Sequence, residues 1–157
     1  MQHMSGSIFV LALAVALLVA CGGGSNSGSD AGEVNCQNDP RVLTYAPNVT
    51  VPSASGGMRY ALVQSDPAPP AKGNDTWKLK VTSAASGQGM PGLDLRIQTL
   101  MPDHGHGSPT TPAITDDGGG NYTVAPLYLF MPGVWRIRFF PFAATTDTAD
   151  FLFCVQG

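Results

Sequence analysis

Two histidines and a methionine share the stretch Met101-Pro102-Asp103-His104-Gly105-His106-Gly107, and no other segment gathers as many potential metal donors. Two neutral imidazoles and a thioether form a soft donor set, which suits copper(I) rather than magnesium or calcium. Glycines at 105 and 107 let the backbone turn, so both imidazoles could swing toward one point. Met101, His104 and His106 are therefore the candidate ligands, and copper, or another soft transition metal, is the candidate cofactor. The alternative is a polar His-Gly loop that joins two strands and holds no metal.

Two further methionines also precede prolines, at Met90 and Met131, but the intervals differ and form no repeat. Met90 and Met101 flank a strand candidate over residues 93–99. At about 3.3 Å per residue they stand roughly 30 Å apart, so Met90 is a poor ligand candidate. Met131 follows a strand candidate over residues 121–125 and falls at the far end too, unless Pro126 turns the chain back. A packed or partly exposed turn is the preferred role for both.

Catalysis finds little support. Outside the leader and tether described below there are two histidines and no glutamate, since Glu33 lies in the tether. His104 and Ser108 could be drawn as base and nucleophile, but no nucleophile-elbow motif surrounds the serine. A net charge of −3, with eight scattered basic residues, offers no phosphate-binding surface and excludes a nucleic-acid partner. The expected classes are thus a metal binder or a non-catalytic accessory module that meets an envelope protein partner.

The elements that must position the loop begin with an apolar run over residues 8–20. It is too short to span a bilayer and fits the core of a signal peptide, although residues 1–7 carry no Lys or Arg. Its end, Leu18-Val19-Ala20-Cys21, resembles the lipobox of bacterial lipoproteins. That resemblance implies cleavage before Cys21, a lipid on its thiol, and a membrane-anchored mature chain without a transmembrane helix. Gly22 rather than aspartate in the next position implies sorting to the outer membrane, facing the periplasm. Residues 21–35 are rich in Gly, Ser and Asn and form a flexible tether with a mean reach of about 20 Å. Residues 36–157 remain as one domain, large enough for a hydrophobic core.

With Cys21 assigned to lipid, Cys36 and Cys154 are left at the two ends of that domain. In an exported protein two leftover cysteines most often pair. Such a bridge closes nearly the whole domain, worth about 4–5 kcal/mol in chain entropy. A pair of copper-binding thiolates is the alternative. The disulfide is preferred because the cysteines bracket the domain rather than flank the His loop.

Alternation predicts the secondary structure. Trp77, Leu79 and Val81 form one apolar face, Leu93, Leu95 and Ile97 another, and Trp135, Ile137 and Phe139 a third, with polar residues between. Period two marks antiparallel strands with one face buried and one wet. Residues 42–45, 58–64, 121–125 and 151–155 are further strand candidates. Residues 108–120 read as a long polar loop, residues 66–74 as a Pro-rich loop and residues 83–88 as a small-residue turn. Low charge (12% of residues against about 25% in average domains), with 19 glycines and 13 prolines, suits strands and turns. About seven strands with turn signals between them predict an all-β, immunoglobulin-like antiparallel sandwich. Three Asn-x-Ser/Thr triplets, at Asn48, Asn74 and Asn121, would matter only outside a bacterial envelope.

Met101-Pro-x-His-Gly-His, then Gly120-Asn121-Tyr122, then Met131-Pro-Gly-Val-Trp135-Arg-Ile137, resembles the YtkA-like/FixH-like domain over about residues 76–140. The resemblance implies a β-sandwich, exported or membrane-anchored, often near copper handling or oxidase assembly. A lipid anchor in place of a transmembrane helix departs from the FixH-type pattern. In such a fold Trp135 belongs to the core, and Tyr122 packs at a sheet corner with its hydroxyl on backbone.

Overall fold

The computed structural model describes residues 35–157. The expected leader, the expected lipidation site Cys21 and nearly all of the expected tether lie outside the described residues. Eight strands run in the order β1 (Val49–Pro52), β2 (Met58–Asp66), β3 (Gly73–Ser83), β4 (Leu95–Leu100), β5 (Ala113–Gly118), β6 (Asn121–Leu129), β7 (Gly133–Pro141) and β8 (Ala149–Val155). One sheet has the order β1-β2-β3-β6-β5 and the other β4-β7-β8. All pairings are antiparallel. Two such sheets face to face are the expected β-sandwich.

The alternating faces meet as their spacing requires. Trp77, Leu79 and Val81 of β3 are buried on one inner face, and Trp135, Ile137 and Phe139 of β7 on the other. Trp77 fixes the distance between the sheets. Its ring lies 5.8 Å from Phe151, 5.7 Å from Phe153 and 6.3 Å from Phe139. Edge-on and tilted contacts of this kind add to the burial of large rings. Tyr122 closes the corner away from the His loop: its hydroxyl donates to Met90 O at 2.6 Å and accepts from Leu93 N at 3.0 Å.

The strand count departs from expectation in three places. Residues 42–45 form no strand; Leu43 N donates to Leu152 O, so the segment only touches the edge of β8. β1 lies a few residues later, ending on Pro52, whose missing N–H is tolerable on an edge strand. β5 occupies part of the expected polar loop. As the outer strand of its sheet it buries little, and only Ile114 packs against the core, so it shows no alternation.

Connections place the His loop. β6 reaches β7 through Phe130, Met131 and Pro132 alone, so the end of β6 and the start of β7 share one end of the sandwich. Gly73 pairs with Leu129, Gly133 with Val155 and Leu100 with Arg136. The start of β3, the end of β8 and the end of β4 therefore lie at that same end, with the Pro-rich loop, Cys154 and the stretch from Met101 onward. Met90 sits at the other end, before β4, as its spacing predicts.

Candidate functional site: the His loop and its clamp

The His loop is a tight hairpin built on Met101. Met101 N donates to His106 O at 2.7 Å, while His104 N and Gly105 N both reach back to Met101 O, at 3.1 and 2.9 Å. Gly105 has φ +71°, a left-handed conformation that glycine adopts without cost. Gly107 lies so close to β4 that a Cβ there would run into the Thr99 carbonyl, and Ser108 N is held by Thr99 Oγ1 at 3.0 Å. A second glycine is thus required for contact rather than for turning.

The three candidate ligands separate. His104 is exposed and His106 is half-buried, with ring centroids 5.6 Å apart. Met101 is fully buried among core side chains, so its sulfur belongs to the sandwich interior. The position that anchors the hairpin's hydrogen bonds is thus also the one whose side chain is buried, while the two expected imidazole ligands lie toward the surface. Met131 moves the other way. Its turn lies at the His-loop end, and its neighbour Phe130 stacks on His106 at 5.6 Å and touches Trp135 at 5.7 Å. Trp135 Nε1 donates to Met131 O at 2.8 Å, which fixes that turn to the core.

A second device holds the loop from outside. Arg41 donates through Nη1 and Nη2 to both oxygens of Asp103, and through Nε and Nη2 to Asp39. These hydrogen bonds pull the Asp39 carboxyl down to about 2 and lower that of Asp103 as well. Arg41 belongs to the segment that starts at Cys36, and Cys36 is joined to Cys154 of β8 with Cα atoms 5.3 Å apart. The expected disulfide is therefore present, and it sits beside the His loop. Cys36, Asp39, Asp103 and His104 line one cleft of about 470 Å³, floored by Gly133 and Val134. On the other side of the segment a cleft of about 440 Å³ runs between Tyr45, Phe153, Pro69 and Pro70.

Below this end lies a buried polar group that the sequence reading passed over. Asp75 is inward-facing and almost wholly buried, with Oδ2 accepting from Ala71 N at 3.3 Å. Its Oδ1, Ser65 Oγ and Trp77 Nε1 lack hydrogen-bond partners. Burial pushes the Asp75 carboxyl up to about 7, although the Ala71 N–H and the Trp77 indole favour the ionised form. A signal was available: extending the alternation of Trp77, Leu79 and Val81 backwards puts Asp75 on the inner face.

The fold is thus an all-β, two-sheet sandwich with a clamped loop cluster at one end. Residues 53–140 match the YtkA-like family, and the chain belongs to that family. Met101, His104, His106 and Met131 fall inside the matched residues; Cys36, Arg41 and Cys154 fall outside them. No curated protein and no solved structure matches the chain. Among the described residues no three His, Cys, Asp or Glu side chains stand together as a metal site.

Proposed function

We propose that this domain is a non-catalytic accessory module of a bacterial envelope, held at a membrane by a lipid on Cys21, that meets a partner protein through its His-loop end. The observation that carries this reading is the preformed tip. The hairpin is closed by three backbone hydrogen bonds, pinned inside by buried Met101 and outside by Arg41, and it leaves His104 exposed. A surface already held in shape loses less entropy on binding than a free loop does. A photo-crosslinking residue at position 104, introduced in living cells, should give a discrete adduct. The same residue at position 117, exposed on β5 near the opposite end of the sandwich, should give none. Equal labelling from both positions would overturn this reading, and so would none from either.

The second reading is a soft metal, copper, held by His104 and His106. Two imidazoles whose nitrogens each lie about 2 Å from one ion place their ring centroids about 5–6 Å apart, and the observed separation of 5.6 Å falls in that range. The donor set fits copper(I) as two neutral nitrogens, with a thioether from Met101 or Met131 as the further donor to be tested. In that state the residues would hold the ion, and Phe130 would fix the His106 ring. Replacing His104 and His106 by alanine should abolish copper(I) binding and leave thermal unfolding nearly unchanged. A parent protein that binds none leaves the accessory reading alone.

A further inference from the structure

The outer face of the three-stranded sheet carries three of the chain's eight basic residues, and one of them stands alone. Arg96 is paired with Asp94, and Arg138 holds both oxygens of Asp150. Arg136, on the same face of β7, pairs with no carboxylate among the described residues. We propose that Arg136 receives a side-chain carboxylate of the partner protein. This rests on the accessory reading above and names the chemistry that the partner presents.

Three observations carry it. The strand register sets Arg136 directly between Leu100 of β4 and Leu152 of β8. Directly opposed side chains share a face, with Cβ atoms about 5 Å apart. Both leucines are half-buried and stand outside the core. Apolar neighbours lower the local dielectric, so an uncompensated charge attracts an anion more strongly there than in open water.

The second observation is the buried Nε of Arg136, which has no hydrogen-bond partner. A guanidinium does not relieve such burial by losing its proton. Asp150 is one diagonal step away in the register, but Arg138 occupies both its oxygens at 2.6 Å. The third observation is place. Leu100 immediately precedes Met101, and Val134, two residues before Arg136 on the same face, lines the cleft of His104. At Val134 that face is already buried, and its register partner Cys154 is bonded to Cys36. Arg136 therefore lies on the first open row behind the clamp, at the His-loop end.

A protein carboxylate fits this row better than a lipid headgroup does. Anionic membranes are read by clusters of about four to eight basic residues, whereas here Arg96 and Arg138 are neutralised by their own carboxylates. One free planar fork between two leucines matches one acidic side chain with apolar neighbours.

The test uses the full chain in neutral phosphatidylcholine bicelles and reads the Arg136 Nε–Hε resonance, assigned by its loss in Arg136→Lys. The probes are the blocked peptide acetyl-Leu-Ser-Glu-Ser-Leu-amide and its Gln counterpart. The Glu peptide should shift that resonance and the Leu100 and Leu152 amides saturably, and salt should weaken its binding. The Gln peptide should bind roughly tenfold more weakly, because a charge-assisted hydrogen bond is lost. Equal response to the two peptides, or none to either, overturns the proposal. Phosphatidylglycerol added to the bicelles should leave the resonance in place. A shift that follows the anionic lipid, without a response to the Glu peptide, overturns the proposal in favour of a membrane surface. Arg136→Leu should unfold at or above the parent midpoint, since it removes an uncompensated charge from between two leucines. A lower midpoint overturns the proposal by showing that the fold itself supplies Arg136 with a partner. In cells, the adduct expected from position 104 should weaken in Arg136→Gln and persist in Arg59→Gln, whose side chain is exposed on β2 of the other sheet. A parent without that adduct defeats the accessory reading, and the peptide titration then decides this one. An adduct untouched by Arg136→Gln overturns this one and spares the other.

Discussion

Arg41 and Asp103 stand 62 residues apart in sequence and form a two-pronged ion pair, with Nη1 and Nη2 each 2.8 Å from a carboxylate oxygen. The pair ties the segment carrying Cys36 to the hairpin carrying His104. Planar guanidinium–carboxylate geometry gives orientation as well as attraction. Both side chains are about half exposed, so the contact positions the loop more than it stabilises the fold.

Arg41→Ala should therefore leave the unfolding midpoint nearly unchanged while raising amide hydrogen exchange at His104, Gly105 and His106. The pH dependence has a definite sign. Asp103 and Asp39 are lowered in the folded state, so the clamp is complete above their ordinary value of 3.8 and is lost as pH falls through the depressed values. Exchange rates corrected for intrinsic pH effects should be flat from pH 5 to 8. A rise at pH 6 would show that something other than these carboxylates holds the loop.

Met101 separates packing from ligation. Met101→Ala should cost about 2–5 kcal/mol in chemical denaturation, because it empties a fully buried site. Met101→Leu conserves volume and should cost less than about 1.5 kcal/mol. Any copper(I) affinity of the oxidised protein should survive Met101→Leu intact. A loss of affinity in that variant with the fold preserved would restore the thioether as a ligand.

Tyr122 fastens the opposite end. Its hydroxyl bridges Met90 O and Leu93 N, tying the entry to β4 against β6. Tyr122→Phe should destabilise the domain by about 1–2 kcal/mol, the cost of leaving two backbone groups short of a partner. It should not change exchange at the His loop. Thermal unfolding together with exchange at position 104 checks both halves.

Much of this architecture was readable from local pattern. Trp77, Leu79 and Val81, and Trp135, Ile137 and Phe139, alternate because each strand buries one face, and that signal needs no knowledge of the partner strand. Cys36 and Cys154 were readable by elimination, and the Tyr122 corner by resemblance. β5 was hidden because an edge strand that buries little has no period to detect. The burial of Met101 was not legible, because chemistry marks a thioether as a donor while only packing decides how deep it sits. The Arg41–Asp103 pair is a long-range contact, and Cys36 and His104 come to one cleft by the same route, through the way β7 and β8 pair and the way the segment of Arg41 crosses. No spacing within one segment announces them.

Asp75 gives the last test. Its carboxyl is raised to about 7 by burial, with Asp66 nearby adding to the same effect. In the unfolded chain it titrates near its ordinary value of 3.8. Between those values the folded state binds a proton that the unfolded state does not. Stability contributed by this group is thus present below pH 4, declines as pH rises toward about 7, and is flat above it. Asp75→Asn keeps an acceptor for Ala71 N and abolishes the charge. The variant should match the parent below pH 4, pull ahead of it as pH rises toward 7, and exceed it by about 1 kcal/mol or more at pH 8 in urea unfolding, after discounting for partial solvent screening. The orphaned Trp77 Nε1 offers a second readout, since its indole lies against the titrating group. Tryptophan fluorescence of the parent should titrate near pH 7, and that of Asp75→Asn should not. A parent whose stability rises between pH 5 and 8, relative to Asp75→Asn, would show that Asp75 is ionised in the fold and paired with a donor that its surroundings do not now reveal.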